Sequence, residues 1–211
     1  SNGVIMNEIA RALPGFIGGS ADLAPSNKTE LKGMGDFPNG KNIHYGIREH
    51  AMAAINNGIA RYGLFLPFSA TFFIFSDYLK PSARIAALMA IKHFFIFTHD
   101  SIAVGEDGPT HEPIEHLASL RTIPNTYVFR PADATETQAA WYLAQNVNDK
   151  PTSIVLTRQN LPVLENSSFE KVAKGAYVVY ETSSDFDTIL IATGSEVALA
   201  ISVAQELERE G

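Results

Sequence analysis

The 211-residue sequence contains no cysteine and carries little positive charge. Without cysteine, a disulfide framework, thiolate catalysis and a cysteine-ligated metal are excluded. Lysine and arginine number 16 against 23 aspartates and glutamates, which gives a net charge of −7, and no run of basic residues occurs. This balance argues against binding to nucleic acid or to an anionic membrane, because both require clustered lysine and arginine.

Long apolar runs are missing as well, because Lys, Arg, Asp, Pro or His interrupts each one before it reaches the length of a membrane span. The first residues, Ser1-Asn2-Gly3-Val4, lack the charged and apolar segments of a secretory signal peptide. Apolar residues make up 45% of the chain and charged residues 18%, as in ordinary globular domains. We therefore expect a globular, cytoplasmic protein, and the absence of cysteine fits a reducing compartment.

Short buried-strand patterns alternate with helical patterns along the chain. The predicted strands are rich in β-branched or aromatic residues and are bounded by Gly, Pro or polar residues. They cover residues 64–69, 93–98, 126–130, 152–157, 176–181 and 188–193. Residues 48–62 and 71–91 are predicted to be helical, the second segment ending or kinking near Pro81. This alternation predicts an α/β fold in which helices cover both faces of a parallel sheet.

A polar stretch at residues 160–174, which contains Pro162, predicts a linker. After it come two predicted strands and one helix that Ser195 can cap. These elements are too few to bury a core, because independent domains need about 50 residues or more. We therefore expect one domain at residues 1–164 and, at residues 165–211, a linker and the truncated beginning of a second α/β domain.

Two long loops, at residues 21–41 and 100–113, are candidates for function. In a parallel sheet, ligands bind where strands end and helices begin, and the second loop follows the predicted strand at 93–98. This part of the chain contains several ionisable residues, namely His99, Asp100, Glu106, Asp107 and His111. Such groups could bind a polyhydroxy substrate and transfer protons, although a solvated acidic loop would have the same composition.

Three other motifs carry little weight. The segment from Gly33 to Pro38 lacks the third glycine of a dinucleotide loop and is interpreted as a turn. His111 and His116 stand five residues apart around Pro113, which disfavours a zinc site. The Gly-x-Ser-x-Gly motif of a nucleophile elbow is absent.

Glu49, a row of aromatic residues and Arg158 are each open to two interpretations. Glu49 opens a predicted helix, where the N-terminal dipole alone would favour an acid. Phe72, Phe75 and Tyr78 recur every three residues and are expected on one helix face, either in the core or where a planar ring stacks. Arg158 follows a predicted strand and could bind phosphate through two N–H groups or pair with a surface carboxylate.

Taken together, five ordered motifs make this sequence resemble the transketolase family. They are GGSADLAPSN (18–27), IHYGIREH (43–50), THDSI with GEDGPTH (98–102 and 105–111), RQN (158–160) and ATGSE (192–196). The resemblance covers essentially the whole chain. It implies a thiamine-diphosphate-binding (pyrimidine) domain on a parallel sheet, followed by the start of the C-terminal domain.

The resemblance also implies an activity, which is the transfer of a two-carbon ketol unit from a ketose phosphate to an aldose phosphate in the pentose phosphate pathway. The implied cofactors are thiamine diphosphate and Mg²⁺ or Ca²⁺, and the implied partner is a second subunit of a homodimer with its active sites at the interface. In the family, the metal and diphosphate lie mainly in an N-terminal domain marked by Gly-Asp-Gly. This sequence has no such motif, so no metal ligand is assigned to it.

Glu49 matches the family's glutamate that hydrogen-bonds the aminopyrimidine ring, a role that requires the carboxyl group to hold a proton against a ring nitrogen. Asp22 resembles a residue lining the thiamine site. Phe72, Phe75 and Tyr78 match the pocket around the pyrimidine, with Phe75 as the stacking partner. The resemblance thus assigns all five residues to the cofactor, and Glu49 also to catalysis.

On the substrate side, Ser26, His99 and Arg158 match positions that hold the sugar phosphate. Asp107 and His111 match groups that bond substrate hydroxyls near the reacting carbons, and His111 is also expected to be catalytic. A charged fork and a rigid loop suit the orientation of a flexible polyol phosphate.

Alternatives remain within and outside this family. The chain could be a transketolase fragment that is inactive alone, or the small subunit of a split thiamine-dependent ketol transferase. A sister ketol transferase fits the motifs less well. A non-catalytic module on the same fold is disfavoured by the intact Glu49, His99, Asp107 and His111.

Overall fold

The computed structural model describes residues 1–182 and 186–210. In this part of the chain, five strands form one sheet, in which every neighbouring pair is parallel. The strands are β1 (Phe16–Ser20), β2 (Leu66–Phe72), β3 (Phe94–Thr98), β4 (Tyr127–Phe129) and β5 (Thr152–Val155). Their order across the sheet is β1-β2-β3-β5-β4, so the predicted parallel α/β fold is confirmed.

Seven α-helices precede, connect or follow these strands within the described residues. They are α1 (Asn2–Ala12), α2 (Ala24–Asn27), α3 (Glu49–Tyr62), α4 (Ser76–Leu88), α5 (His116–Arg121), α6 (Ala134–Asn146) and α7 (Glu196–Glu210). Asp133 caps α6 by accepting a hydrogen bond of 2.9 Å from the backbone N–H of Glu136. None of the described helices is both long enough and apolar enough to cross a membrane.

Side chains on both faces of the sheet are buried. From β3, Phe94 and Ile96 enter a core shared with α1 and α6. Phe95 and Phe97 point the other way, into a core shared with α3 and α4. Burying each such side chain stabilises the fold by about 1.5–3 kcal/mol. Helices therefore cover both faces, and the sheet lies between two apolar layers that fix where its strands end.

Strand β1 was not among the predicted strands, because its sequence, FIGGS, contains two glycines. The structure explains both glycines. A Cβ atom on Gly18 would lie 2.1 Å from the carbonyl oxygen of Phe68, and one on Gly19 would lie 1.8 Å from that of Ile43. Glycine is thus required here by the close approach of neighbouring backbone, which local composition does not reveal.

The predicted helix at 71–91 is wrong at its start. Thr71 and Phe72 belong to β2 and pair with Phe97 and Thr98 of β3. A short 3-10 helix, Phe73–Phe75, then leads into α4, which contains Pro81 in its interior. Pairing with a buried strand has overridden the helical spacing of the sequence.

The two strands predicted at 176–181 and 188–193 are also wrong, since none of the described residues there forms a strand. Ile189 and Ile191 are 73% and 91% exposed, and a β-strand needs a hydrogen-bonding partner that the described residues do not provide. Helix α7 forms, but none of its residues is buried. Residues 183–185 and 211 of the predicted second domain lie outside the described residues.

One polar group is completely enclosed between the sheet and α3. His93 lies at hydrogen-bond distance from Asn57 Oδ1 (2.8 Å to Nδ1) and from Ser69 Oγ (2.9 Å to Nε2). Burial lowers the pKa of His93 to about 3, because a charged imidazole would lose its hydration. His93 is therefore neutral in the folded protein at every ordinary pH.

We predict that the free energy of unfolding falls as the pH drops below about 6.5, the pKa of an unfolded histidine. Below this pH, His93 takes up a proton in the unfolded chain but not in the folded protein. The contribution of His93 to stability is therefore fully present above this pH and is lost progressively below it. This residue should contribute a loss on the order of 1 kcal/mol between pH 7.5 and 5.5. Urea unfolding should show this loss, and the His93→Gln variant should show a smaller one. Equal pH dependence in both proteins would contradict the prediction.

Candidate active site

A cavity of about 800 Å³ opens where strands β1 and β2 end. The segment after β1, the start of α3, the segment after β2 and the loop after β3 all contribute to its walls. Five of the residues assigned from the sequence line it, namely Asp22, Glu49, Phe75, Tyr78 and His111. The parallel sheet thus brings together side chains from distant parts of the sequence, as expected at this edge.

Glu49 is the first residue of α3 and is only 7% exposed. The chain turns at Gly46 just before α3. Gly46 has a left-handed backbone (φ +63°), and the Arg48 side chain lies over it. The Arg48 guanidinium donates a 2.8 Å hydrogen bond to the carbonyl of Tyr45, not to Glu49. Among the described residues, the Glu49 side chain has no hydrogen-bond partner, and it lines the cavity. A buried carboxyl group is therefore free to bind a ligand.

The three predicted aromatic residues do not share one helix face, so that prediction is wrong. Phe72 ends β2, Phe75 ends the 3-10 helix and Tyr78 lies in α4. Their rings nevertheless stack in a row, with centroids 6.2 Å apart for Phe72–Phe75 and 6.1 Å apart for Phe75–Tyr78. Phe72, at one end of the row, is buried, whereas Phe75 and Tyr78 line the cavity and offer aromatic surface to a planar ligand.

His99 follows β3 with a left-handed backbone, φ +59°. Its ring stacks on Phe72 with centroids 3.7 Å apart. Burial lowers the pKa of His99, and the positive charges of Arg158 and His111 lower it further, while Asp107 opposes them. His99 is thus electrostatically coupled to three other predicted substrate residues.

His111 connects this substrate group to the cavity. Its ring meets Phe75 edge-on, with centroids 5.4 Å apart, and Phe72 at 6.2 Å. The remaining assigned residues, Asp22, Ser26, Asp107 and Arg158, are exposed. Ser26 lies in α2 beside Asn27, which accepts a 2.6 Å hydrogen bond from Thr98. The structure therefore places the predicted residues along one edge, while the role of each remains a prediction.

A buried ion pair beside this site was missed in the sequence. The Nε of Arg130, which follows β4, donates a 2.7 Å hydrogen bond to Asp100 Oδ2, and these side chains are 8% and 1% exposed. Arg130 also donates to the carbonyl of Thr193 at 2.8 Å and pairs with Glu196. The loop after β3 is thereby tied to the segment before α7. In the sequence, Arg130 ends the strand predicted at 126–130 and Asp100 follows the strand predicted at 93–98, but nothing local indicates that the two side chains pair.

His116 links helix α5 to helix α4 through a contact with Asp77. Its Nε2 lies 3.0 Å from Asp77 Oδ2 of α4, and its Nδ1 lies 3.8 Å from Glu115 Oε2. These three residues form the one cluster of three possible metal ligands in the described part of the chain. The two carboxylates approach opposite nitrogens of the ring, so one ion could not replace both contacts through His116. None of the three lines the cavity.

Comparison with protein-family models identifies the family. The model described as the transketolase pyrimidine-binding domain matches residues 2–163. The chain belongs to the transketolase family. A second model, described as the transketolase-like C-terminal domain, matches residues 175–211. The resemblance of the five sequence motifs is therefore confirmed.

Individual transketolases match along the whole chain. A probable transketolase from Streptococcus pneumoniae is 60% identical over 210 residues, which are 98% of this chain and 32% of that protein. The structure of Pichia stipitis transketolase in complex with sedoheptulose 7-phosphate is 46% identical, with a TM-score of 0.95, and the match covers 100% of this chain and 32% of that one. The chain thus spans about a third of the length of these transketolases.

A more distant structural relative bears on the alternative that the chain is the small subunit of a split enzyme. It is described as a split-gene transketolase in the form of an inactive β4 tetramer. It is 26% identical, with a TM-score of 0.71, and the match covers 100% of this chain and 66% of that one. Transketolases from split genes thus occur among the structural relatives.

Replacing Arg130 by methionine should destabilise the protein by about 3–5 kcal/mol, because Asp100 would remain buried without its counter-charge. Urea unfolding of the purified chain measures this loss. The matched control is Arg209→Met, which removes an exposed pair with Glu206 (2.7 Å) and should change stability by less than about 1 kcal/mol. Equal small losses in the two variants would contradict a structural role for the Arg130–Asp100 pair.

Proposed function

We propose that this chain supplies the pyrimidine-binding part of a transketolase, which transfers a two-carbon ketol unit from a ketose phosphate to an aldose phosphate. The observation that carries the proposal is Glu49, a buried carboxyl group that lines the cavity and has no hydrogen-bond partner among the described residues. Thiamine diphosphate, when bound, supplies the carbanion chemistry of this reaction. The residues of the protein would bind and orient the cofactor and the substrate and exchange protons with them.

The residues of the cavity fit an aminopyrimidine ring. The Glu49 carboxyl group lines the cavity without a protein partner among the described residues, so it could share a proton with a ring nitrogen of the ligand. Phe75 and Tyr78 offer aromatic surface in the same cavity, where a flat heterocycle can stack. Asp22 lines the cavity as well and would contact the cofactor from the end of β1.

The substrate end of the site is proposed to lie between His99 and Arg158. Arg158 is exposed, and its charge lowers the pKa of His99, so an anion could bind near both side chains. Ser26, His99 and Arg158 would hold the sugar phosphate, and Asp107 and His111 would bond its hydroxyls. Holding both ends of a flexible sugar phosphate in one geometry can supply much of the rate enhancement.

The cavity is less suited to a divalent metal ion than to an aminopyrimidine ring. The three-residue cluster of possible ligands lies outside its walls. We therefore propose that residues beyond this chain hold Mg²⁺ or Ca²⁺ and the diphosphate, in a longer transketolase. Within the chain, we propose a pyrimidine-binding domain at 1–164 and the beginning of the C-terminal domain at 165–211. We place the enzyme in the pentose phosphate pathway of the cytoplasm, where sugar phosphates are metabolised.

The small subunit of a split transketolase is a second candidate. The split-gene structural relative favours it, because the whole of this chain matches that protein. Both candidates place the same residues in the site. They differ in whether the diphosphate-binding domain is covalently attached.

Exposed apolar side chains at the cavity support a homodimer. Ile47 is 80% exposed and Tyr78 is 64% exposed, and both line the cavity. We predict that the chain self-associates and that Ile47→Glu weakens the association at least tenfold, since a charge would be buried at the interface. Sedimentation equilibrium measures this. Val4→Glu, at a 60% exposed position on α1, is the control, and a chain that remains monomeric at high concentration would contradict the prediction.

For the activity itself, we predict that Glu49→Gln lowers kcat by about 10²–10⁴ in the longer transketolase, because the amide cannot transfer a proton. The measurement is a coupled ketol-transfer assay with thiamine diphosphate and Mg²⁺, and the chain alone should be inactive. Glu30→Gln, at an exposed acid outside the cavity, serves as the control and should retain full activity. Full activity of Glu49→Gln would contradict the role of this carboxyl group. A longer protein that folds but is inactive would favour a non-catalytic module.

A further inference from the structure

A continuous row of hydrogen bonds links a backbone carbonyl to the ring of His99. Ser20 Oγ lies 3.0 Å from the carbonyl oxygen of Ala70, and Asn27 Nδ2 lies 2.6 Å from Ser20 Oγ. Thr98 Oγ1 lies 2.6 Å from Asn27 Oδ1 and 2.9 Å from His99 Nδ1. The four side chains are buried, so these contacts are protected from exchange with solvent. We refer to Ser20, Asn27 and Thr98 as the relay residues.

The direction of every hydrogen bond in this row follows from its first member. A carbonyl oxygen can only accept, so Ser20 gives its single hydroxyl proton to Ala70. Ser20 must then accept from the amide NH₂ of Asn27, which fixes the orientation of that amide. The Asn27 oxygen therefore faces Thr98 and accepts its only proton. Thr98 has no proton left for His99, so the contact requires that His99 Nδ1 carries a hydrogen and donates it.

A neutral imidazole has one N–H group. With the proton on Nδ1, Nε2 of His99 is a bare acceptor. Nε2 has no hydrogen-bond partner among the described residues and is not one of the unpartnered atoms sealed from solvent. The ring cannot easily exchange its two nitrogens, because it is stacked on Phe72 at 3.7 Å and its backbone is fixed in the left-handed region.

Charged groups around His99 favour the neutral form of the ring. Arg158 and His111 lower its pKa and Asp107 raises it, after the larger effect of burial. The adjacent Asp100 is held by Arg130 at 2.7 Å. Without a ligand, His99 is therefore neutral at and above neutral pH.

We propose that the relay residues are positioning residues that hold His99 as its Nδ1–H tautomer, so that a sugar phosphate binds with the uptake of one proton. The proposal rests on the proposed function, which places the phosphate of the substrate at His99. A phosphate monoester has its second pKa near 6 and is a dianion at pH 8. Bare Nε2 and a phosphate oxygen are both acceptors, so one proton from the buffer must join them before they can share a hydrogen bond.

The direct test is calorimetry of the full-length holoenzyme at pH 8 with glucitol 6-phosphate, a sugar phosphate without the reacting carbonyl group. Titration in two buffers with different ionisation enthalpies gives the number of protons taken up on binding. We expect about one for the wild type, with Kd rising tenfold per pH unit above pH 7.5. Binding without proton uptake would overturn the proposal.

Two variants separate positioning from a merely structural role. Thr98→Val removes the acceptor of the Nδ1 proton, so the ring can place its hydrogen on Nε2 and donate directly, and proton uptake should fall towards zero. Thr98→Ser keeps the hydroxyl group and should restore an uptake of about one. Uptake that stays at one in Thr98→Val would overturn the role of the relay residues. If Thr98→Val does not fold, the wild-type proton count still decides the tautomer.

The ketol-transfer assay of the same wild-type enzyme separates this proposal from the proposed function. An inactive wild type would overturn the function. An active wild type that binds glucitol 6-phosphate without proton uptake would leave the function standing and overturn only the assigned tautomer.

Discussion

The parallel alignment of all the described strands is the constraint on which the site depends. It delivers the residue after each strand to one edge of the sheet. Asp22 follows β1, Phe75 follows β2, His99 follows β3 and Arg158 follows β5. Apolar cores on both faces hold the strands in register. The fold thus fixes the spacing of these side chains before any ligand binds, which lowers the entropic cost of orienting a flexible substrate.

Several buried polar groups at this edge have a hydrogen-bond or ionic partner. The Arg130–Asp100 pair offsets the cost of enclosing two charges and ties the loop after β3 to the segment before α7. Ser20, Asn27 and Thr98 form a neutral row beside it. Glu49 is a buried acid that lines the cavity and has no hydrogen-bond partner among the described residues, which makes it a candidate contact for a ligand.

The local sequence pattern predicts those elements whose structure is determined by their own residues and not by distant ones. The buried apolar run at 93–98 corresponds to β3 (Phe94–Thr98), and the predicted helix at 48–62 corresponds to α3 (Glu49–Tyr62). Pattern fails where distant residues decide. Gly18 and Gly19 of β1 are required by the backbone of other segments, and the strand predicted at 188–193 has no partner strand in the described residues. The motifs assigned the candidate site residues, whereas the pairing of Arg130 with Asp100, 30 residues away, has no local signature.

The proposed function depends above all on Glu49 and Phe75 binding the aminopyrimidine ring of thiamine diphosphate. A crystal structure of the longer transketolase with this cofactor bound would test that contact. We expect a ring nitrogen about 2.6–3.2 Å from the Glu49 carboxyl group and the ring stacked against Phe75. A cofactor ring bound elsewhere, with Glu49 facing only water or protein, would overturn the proposed role of both residues.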